Sequence, residues 1–241
     1  MLMGLKQDTD SIKKNVGFFD SNPDYKKYVN EFEVYRYSTM TINQSINTGI
    51  RELLDIGNGG IINYDASKIG NITALDLFFD ENQTPEYSNV KFKKGSALDI
   101  PFENGKFDMV LMQNLLHHVI GKNIKESKKM LERAITESYR VLKPHGKLLI
   151  LESTVPAWFY IIESMAFPLF ARLNPLKHPA TFQYTQECIK EAAESKGFTL
   201  LEYVNVPKGR YIIQLGFKFP SALTPVRITK FVFLKDAQKG V

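Results

Sequence analysis

The segment Asp55-Ile56-Gly57-Asn58-Gly59-Gly60 and, nineteen residues beyond Gly57, Asp76 in the run ITALDLFF are the residues of this chain most suited to chemistry. Leu53, Leu54 and Ile56 read as a buried parallel strand, and the glycines that follow let the backbone pass close to a ligand. A glycine turn after one strand and a carboxylate at the tip of the next is how doubly wound sheets hold a nucleoside. A dinucleotide would need a third glycine where a helix N-terminus meets pyrophosphate, and that position is Ile62. Asp55 would repel a pyrophosphate and suits a cationic ligand instead. S-adenosylmethionine carries an ammonium, a sulfonium and no phosphate, and an ionised Asp76 can accept from both ribose hydroxyls.

A second place for chemistry is His117-His118, after the strand FDMVLMQ. Imidazole titrates near neutrality, so His117 is the candidate general base or acceptor contact. Both histidines could equally pack the next helix, and adjacent side chains point different ways. His178 and Glu152 are lesser candidates, with a surface or capping role favoured for Glu152. Transfer of a methyl group from a sulfonium needs a base only if the nucleophile starts protonated.

The elements that must position these residues alternate strand and helix. Strands are expected at 50–56, 72–77, 90–95, 107–113, 147–152, 199–205 and 228–235. Helices are expected from Ser21-Asn22-Pro23-Asp24 through Tyr35, at 39–48, 124–142 and 185–196. The alternation gives an α/β, doubly wound, mostly parallel sheet with helices on both faces. Its carboxyl-end rim collects Gly57, Asp76, Ser96, Gln113 and Glu152. Residues 154–184 interrupt the alternation with aromatics and prolines, and 207–227 are ambiguous.

GSALDIPFENGKFDMVLMQNLLHHV, residues 95–119, and RVLKPHGKLLILES, residues 140–153, together with the glycine turn and Asp76, resemble the class I S-adenosylmethionine-dependent methyltransferases, in particular their type 11-like small-molecule branch. The resemblance covers roughly residues 50–153. It implies a Rossmann-like sheet of seven strands with the last inserted antiparallel, and S-adenosyl-L-methionine as cofactor. By resemblance, Asp55, Gly57, Asn58 and Gly59 line the methionine end. Asp76 and Leu77 lie at the ribose, Ser96, Ala97 and Leu98 beside adenine, and Gln113 and Asn114 under the sulfonium. The sequence departs from the pattern at Ile61, where a third glycine is usual, at Ser96, where an acid is usual, and after Asp76, where a helix is usual.

The 241 residues, 44% of them apolar, fit a single domain. It divides into an N-terminal helical lid (1–49), a cofactor core (50–153), an acceptor-side insertion (154–184) and a C-terminal helix with strands (185–241). Cys188, the one cysteine, excludes a disulfide framework and points to a reducing, cytoplasmic setting. No secretory pattern follows Met1, and Pro156 to Leu173 is too short and interrupted to span a bilayer. The net charge of +5 comes without a basic run, which argues against nucleic acid. No histidine and cysteine spacing makes a metal site. The reading is a methyltransferase for a small-molecule or lipid-like acceptor, with oxygen first as the methylated atom and nitrogen or carbon open. RNA or protein methylation, and a cofactor-binding partner subunit without turnover, are the alternatives. The aromatic insertion, Trp158-Phe159-Tyr160, is core, a homodimer interface or an acceptor wall.

Overall fold

The computed structural model describes residues 32–77, 84–173, 181–214 and 217–236. Its sheet has seven strands: β1 (Glu52–Ile56), β2 (Asn71–Asp76), β3 (Val90–Lys94), β4 (Phe107–Gln113), β5 (Leu142–Thr154), β6 (Phe198–Val206) and β9 (Arg227–Lys235), in the order β3-β2-β1-β4-β5-β9-β6. Strands β3 through β5 run parallel, and β9 lies antiparallel between β5 and β6. This is the expected seven-stranded topology. Strands β7 (Tyr211–Gln214) and β8 (Phe217–Pro220) form a separate hairpin inside the stretch that the sequence left ambiguous.

The central strands are apolar on both faces because both faces are covered. Leu54, Ile56, Val110, Met112, Leu148 and Ile150 point into one core with Met130, Leu131, Ile189 and Phe182. The alternate residues Leu53, Met109, Leu111, Leu149 and Leu151 point into the other with Ile42, Ile46 and Ile69. The first core is covered by α2 (Ile124–Val141) and α4 (Gln186–Glu194), capped by the side chains of Asn123 and Thr185.

Helix α1 (Glu33–Ser45) starts earlier than the helix expected at 39–48 and runs through the predicted break between Tyr35 and Thr39. Val34, Ser38 and Ile42 recur every four residues and bury one continuous stripe, so nothing interrupts it there. Phe32 and Tyr35 pack against Val155, Ile212 and Val226, which is a core role. Tyr25, Tyr28 and the Ser21-Asn22-Pro23-Asp24 helix start lie outside the described residues, as does His178.

Strand β5 is longer than expected and carries Lys143-Pro144-His145-Gly146 as an irregularity opposite β4, with His145 in the left-handed region at φ 61°. Between β1 and β2 the chain forms only a 3₁₀ turn, Ala66–Lys68, in place of the usual crossover helix. Residues 154–184 contain α3 (Ala157–Leu173). No helix among the described residues is long and apolar enough to cross a membrane.

Candidate active site

The parallel register sets the ends of neighbouring strands level. Ile56 pairs with Leu75 and Met112, Asp76 with Lys94, and Gln113 with Leu151. The glycine turn, Asp76, Ser96, Gln113 and the His117 turn therefore follow or end adjacent strands along one rim.

At the glycine turn, Gly57, Gly59 and Gly60 have φ of 79°, 60° and 79°, which side chains rarely tolerate. A Cβ on Gly57 would meet Leu115 Cδ1 at 2.5 Å, whereas one on Gly59 would meet nothing within 4 Å. Gly57 is thus required by packing, and Gly59 lies open to the rim. The Gly59 amide donates to Asp76 Oδ2 at 2.8 Å, so the turn and the carboxylate of β2 are tied together.

Asp55 lies beneath this turn at 1% exposure. Its Oδ2 accepts from Asn58 Nδ2 at 2.8 Å and from the Tyr64 hydroxyl at 2.9 Å, while Oδ1 is buried without a hydrogen bond. Burial pushes the Asp55 carboxyl up to about 7. The same burial, beside Asp55, holds the Tyr64 phenol above its usual range. Tyr64 was not legible as a partner of Asp55, because no periodicity links the two.

Residues 95–102 continue the rim. Ala97 and Leu98 are buried and Ser96 is half-buried, its Oγ accepting from the Leu98 amide at 3.1 Å. This loop is held from outside by α2. Buried Glu137 accepts from the Ile100 amide at 3.0 Å, Arg140 donates to the carbonyls of Ile100 (2.8 Å) and Phe102 (2.7 Å), and Arg133 Nε donates to the Leu98 carbonyl at 2.9 Å. Glu137 in turn pairs with Arg133 (3.2 Å) and Arg140 (2.7 Å). The sequence singled out none of these three, because their loop partners lie 35 to 40 residues away in the chain.

After β4, Asn114 takes a φ of 50° and donates its amide to Leu151 at 2.8 Å. Asparagine is among the few non-glycine residues that enter this region readily. The turn places His117 against β5, where Nδ1 lies 2.5 Å from Glu152 Oε1. Glu152 is fully buried, so of the surface or capping role expected for it only the capping of a turn fits. It also accepts from the Leu116 amide at 2.6 Å and from the Ser153 amide at 2.8 Å. With donors converging on the carboxylate, Nδ1 carries the hydrogen, and Nε2 is left as the basic nitrogen. The His117 and His118 rings lie 4.1 Å apart, tilted against each other.

Above this turn, α3 presents two unlike faces. Trp158, Ile161, Ile162 and Met165 are more than half exposed on the outside. Tyr160, Glu163 and Ser164 face inward. The side chains of Phe167 and Phe170 lie outside the described residues. Cys188 sits half-buried in α4 beside the core and takes no part in the rim. No group of acids, histidines and cysteines that could hold a metal occurs among the described residues.

These features fit a cationic nucleoside cofactor. A buried carboxylate oxygen without a partner lies under the turn, an open glycine faces the rim, and a carboxylate ends β2. No helix N-terminus backs the turn to attract phosphate.

Residues 54–150 match the family model described as a methyltransferase domain. The ubiquinone/menaquinone biosynthesis C-methyltransferase of Psychromonas ingrahamii is 29% identical over 147 residues, which is 54% of each chain. The chain thus spans about half the length of this curated relative. Among solved structures, a methyltransferase of Methanosarcina mazei covers 81% of this chain and 97% of its own, with a TM-score of 0.54 at 17% identity. The [4+2]-cyclase SpnF covers 83% of this chain and 81% of its own, with a TM-score of 0.54 at 16% identity, so the fold alone does not fix the reaction.

Proposed function

Because residues 54–150 are a domain of the class I S-adenosylmethionine-dependent methyltransferase family, we propose that the chain methylates a ring carbon of a small or lipid-like hydroxylated acceptor, with His117 as general base. The observation that carries this reading is the Glu152–His117 pair at 2.5 Å, on the same rim as the Gly59–Asp76 contact. Carbon replaces the oxygen expected from the sequence, because the relative is named as a C-methyltransferase.

S-adenosylmethionine, when bound, supplies a methyl carbon made electrophilic by its sulfonium. Asp76 at the end of β2 accepts from the ribose hydroxyls, and the open Gly59 lets the methionine portion approach the backbone. Asp55, held under the turn by Asn58 and Tyr64, would pair with the ammonium, a cation that draws off the proton burial otherwise favours. Ser96, Ala97 and Leu98 would flank adenine, and Gln113 and Asn114 would lie near the sulfonium.

On the acceptor side, His117 Nε2 takes the proton of a ring hydroxyl, and Glu152 holds the imidazole and stabilises its positive charge. The oxyanion so formed raises electron density at the neighbouring ring carbon, which is the nucleophile; once methylated, that carbon gives up its own hydrogen as a proton to solvent, and the dienone returns to an aromatic hydroxyl. Residues 182–184, whose Phe182 amide donates to the His117 carbonyl at 3.0 Å, fix the turn from outside. The exposed apolar stripe Trp158, Ile161, Ile162 and Met165 supports a lipid-like acceptor. The test is transfer of a labelled methyl group to alkylated hydroxyarenes. Product carrying the label on ring carbon supports the reading, and label on oxygen alone overturns the choice of atom.

A further inference from the structure

Helix α3 has its polarity inverted. Trp158, Ile161, Ile162 and Met165, spaced three and four residues apart, face outward at 59%, 59%, 54% and 79% exposure. The Tyr160 hydroxyl, Glu163 Oε2 and Ser164 Oγ, at the same helical spacing, are buried and make no hydrogen bond. Buried polar side-chain atoms are bonded in the large majority of cases, so these groups on one helical face, of which the Tyr160 hydroxyl has a charged neighbour, the Lys128 ammonium, are a departure that folding alone does not explain.

Their position is set by the strap that lies against the His117 turn. The Phe182 amide donates to the His117 carbonyl at 3.0 Å, the Phe182 and Tyr160 rings meet edge-on at 5.3 Å, and the Gln183 amide donates to Glu163 Oε1 at 3.3 Å. Thus α3 rests on the segment that also fixes the base. Burial pushes the Glu163 carboxyl up to about 7, outweighing the Gln183 amide and the nearby His117. From α2, Lys128 Nζ lies 5.6 Å from the Tyr160 ring centre. The strap's own Tyr184 hydroxyl is committed to the Ser127 carbonyl at 2.9 Å.

We propose that Tyr160, Glu163 and Ser164 form a polar clamp for a second oxygen of the acceptor, distinct from the hydroxyl that His117 deprotonates. Two hydroxyls and a carboxyl that holds a proton near neutrality can all donate, so the clamp suits a carbonyl or hydroxyl oxygen. It acts as a specificity determinant: an acceptor with a single oxygen leaves the three groups unpaired, and such sites discriminate strongly against the analogue that lacks the bonding group. This inference rests on reading the rim as the acceptor side of a methyltransferase.

The experiment compares a short-chain alkyl hydroquinone with the matching alkylphenol, which has one oxygen, in labelled methyl transfer. Wild type is compared with E163Q and with the triple variant Y160F, E163L, S164A. S-adenosylhomocysteine titration and melting temperature are measured alongside. The clamp predicts at least a tenfold preference of wild type for the hydroquinone in kcat/KM. E163Q, which keeps a donor, retains most of it. The triple variant loses it, mainly through a raised KM, with cofactor affinity unchanged and a higher melting temperature because unpaired polar atoms are gone. A merely structural role would lower the melting temperature and leave the preference intact. A wild type without preference, or a triple variant that keeps it, overturns the clamp alone. No transfer to either probe, despite S-adenosylhomocysteine binding, overturns the clamp together with the acceptor class. Failure to bind S-adenosylhomocysteine removes the premise as well.

Discussion

Glu152, two residues before the end of β5, binds His117 Nδ1 through one carboxylate oxygen and the Leu116 amide through the other, so a single buried side chain fixes both the ring and the turn that carries it. Removing the base and removing its support should then differ. His117→Ala should lower turnover by roughly 10²–10⁴-fold, the range for a lost general base, with cofactor affinity intact. Glu152→Gln should also lower turnover, because the amide no longer dictates which ring nitrogen carries the proton. Single-turnover methyl transfer checks both, and unaltered rates in His117→Ala would reject the base role.

Glu137 is buried and binds Arg133, Arg140 and the Ile100 amide. Glu137→Ala leaves two guanidinium groups without their acid and frees the 95–102 loop. Both guanidinium groups are about a third exposed and regain water, so the loss is set mainly by the unpaired Ile100 amide and the freed loop, about 1–3 kcal/mol, and urea denaturation should find that order of change. A change below about 1 kcal/mol would show that the network is not what holds the loop.

The two open-turn glycines should separate folding from binding. Gly57→Ala brings a Cβ to 2.5 Å of Leu115 at φ 79°, so thermal denaturation should register a clear loss of stability, about 1–3 kcal/mol for the backbone strain alone. Gly59→Ala has φ 60° and open space around the new methyl group. It should cost less in stability, about 1–2 kcal/mol, yet weaken cofactor binding more. Equal effects of both substitutions on both readouts would contradict this division.

Asp55 supplies a pH dependence. Its carboxyl is pushed up to about 7 from an ordinary 3.8, so the native state holds a proton that the unfolded chain releases. The contribution is present below the unfolded value and is lost as pH rises from about 4 through about 7. Asp55→Asn removes this titration, so its stability should vary less over that window than that of wild type, with a difference of a few kcal/mol at about 1.4 kcal/mol per unit. Parallel stability–pH curves for the two proteins would remove the assignment.

Much of the sheet was legible because continuous apolar runs such as Phe107–Gln113 have one reading when flanked by turns, and strand β4 was read with its bounds intact. Gly57 and Asp76 were legible as rim residues for the same reason, since each ends a strand. The rest depends on contacts that sequence distance hides. Glu152 reads as a lesser rim candidate, with a surface or capping role favoured, until the β4–β5 register sets it beside His117, 35 residues away. Glu163 reads as an interruption in an apolar stretch, and only the packing of α3 shows which face it takes. The start of α1 was set too late because its buried stripe, Val34, Ser38 and Ile42, contains a serine, which does not read as part of an apolar face. The missing crossover helix after the glycine turn was not read: Ile61, which the structure leaves exposed at 38%, stood only as a departure from the glycine pattern.

The central claim is that the rim from Gly57 to Asp76 holds S-adenosylmethionine. Titration calorimetry of wild type and Asp76→Ala with S-adenosylmethionine and S-adenosylhomocysteine, with NAD as control, tests it most directly. The account predicts micromolar binding of both sulfur nucleosides by wild type, no binding of NAD, and affinity reduced at least tenfold by Asp76→Ala. Equal affinity in the two proteins, or preference for NAD, would contradict it.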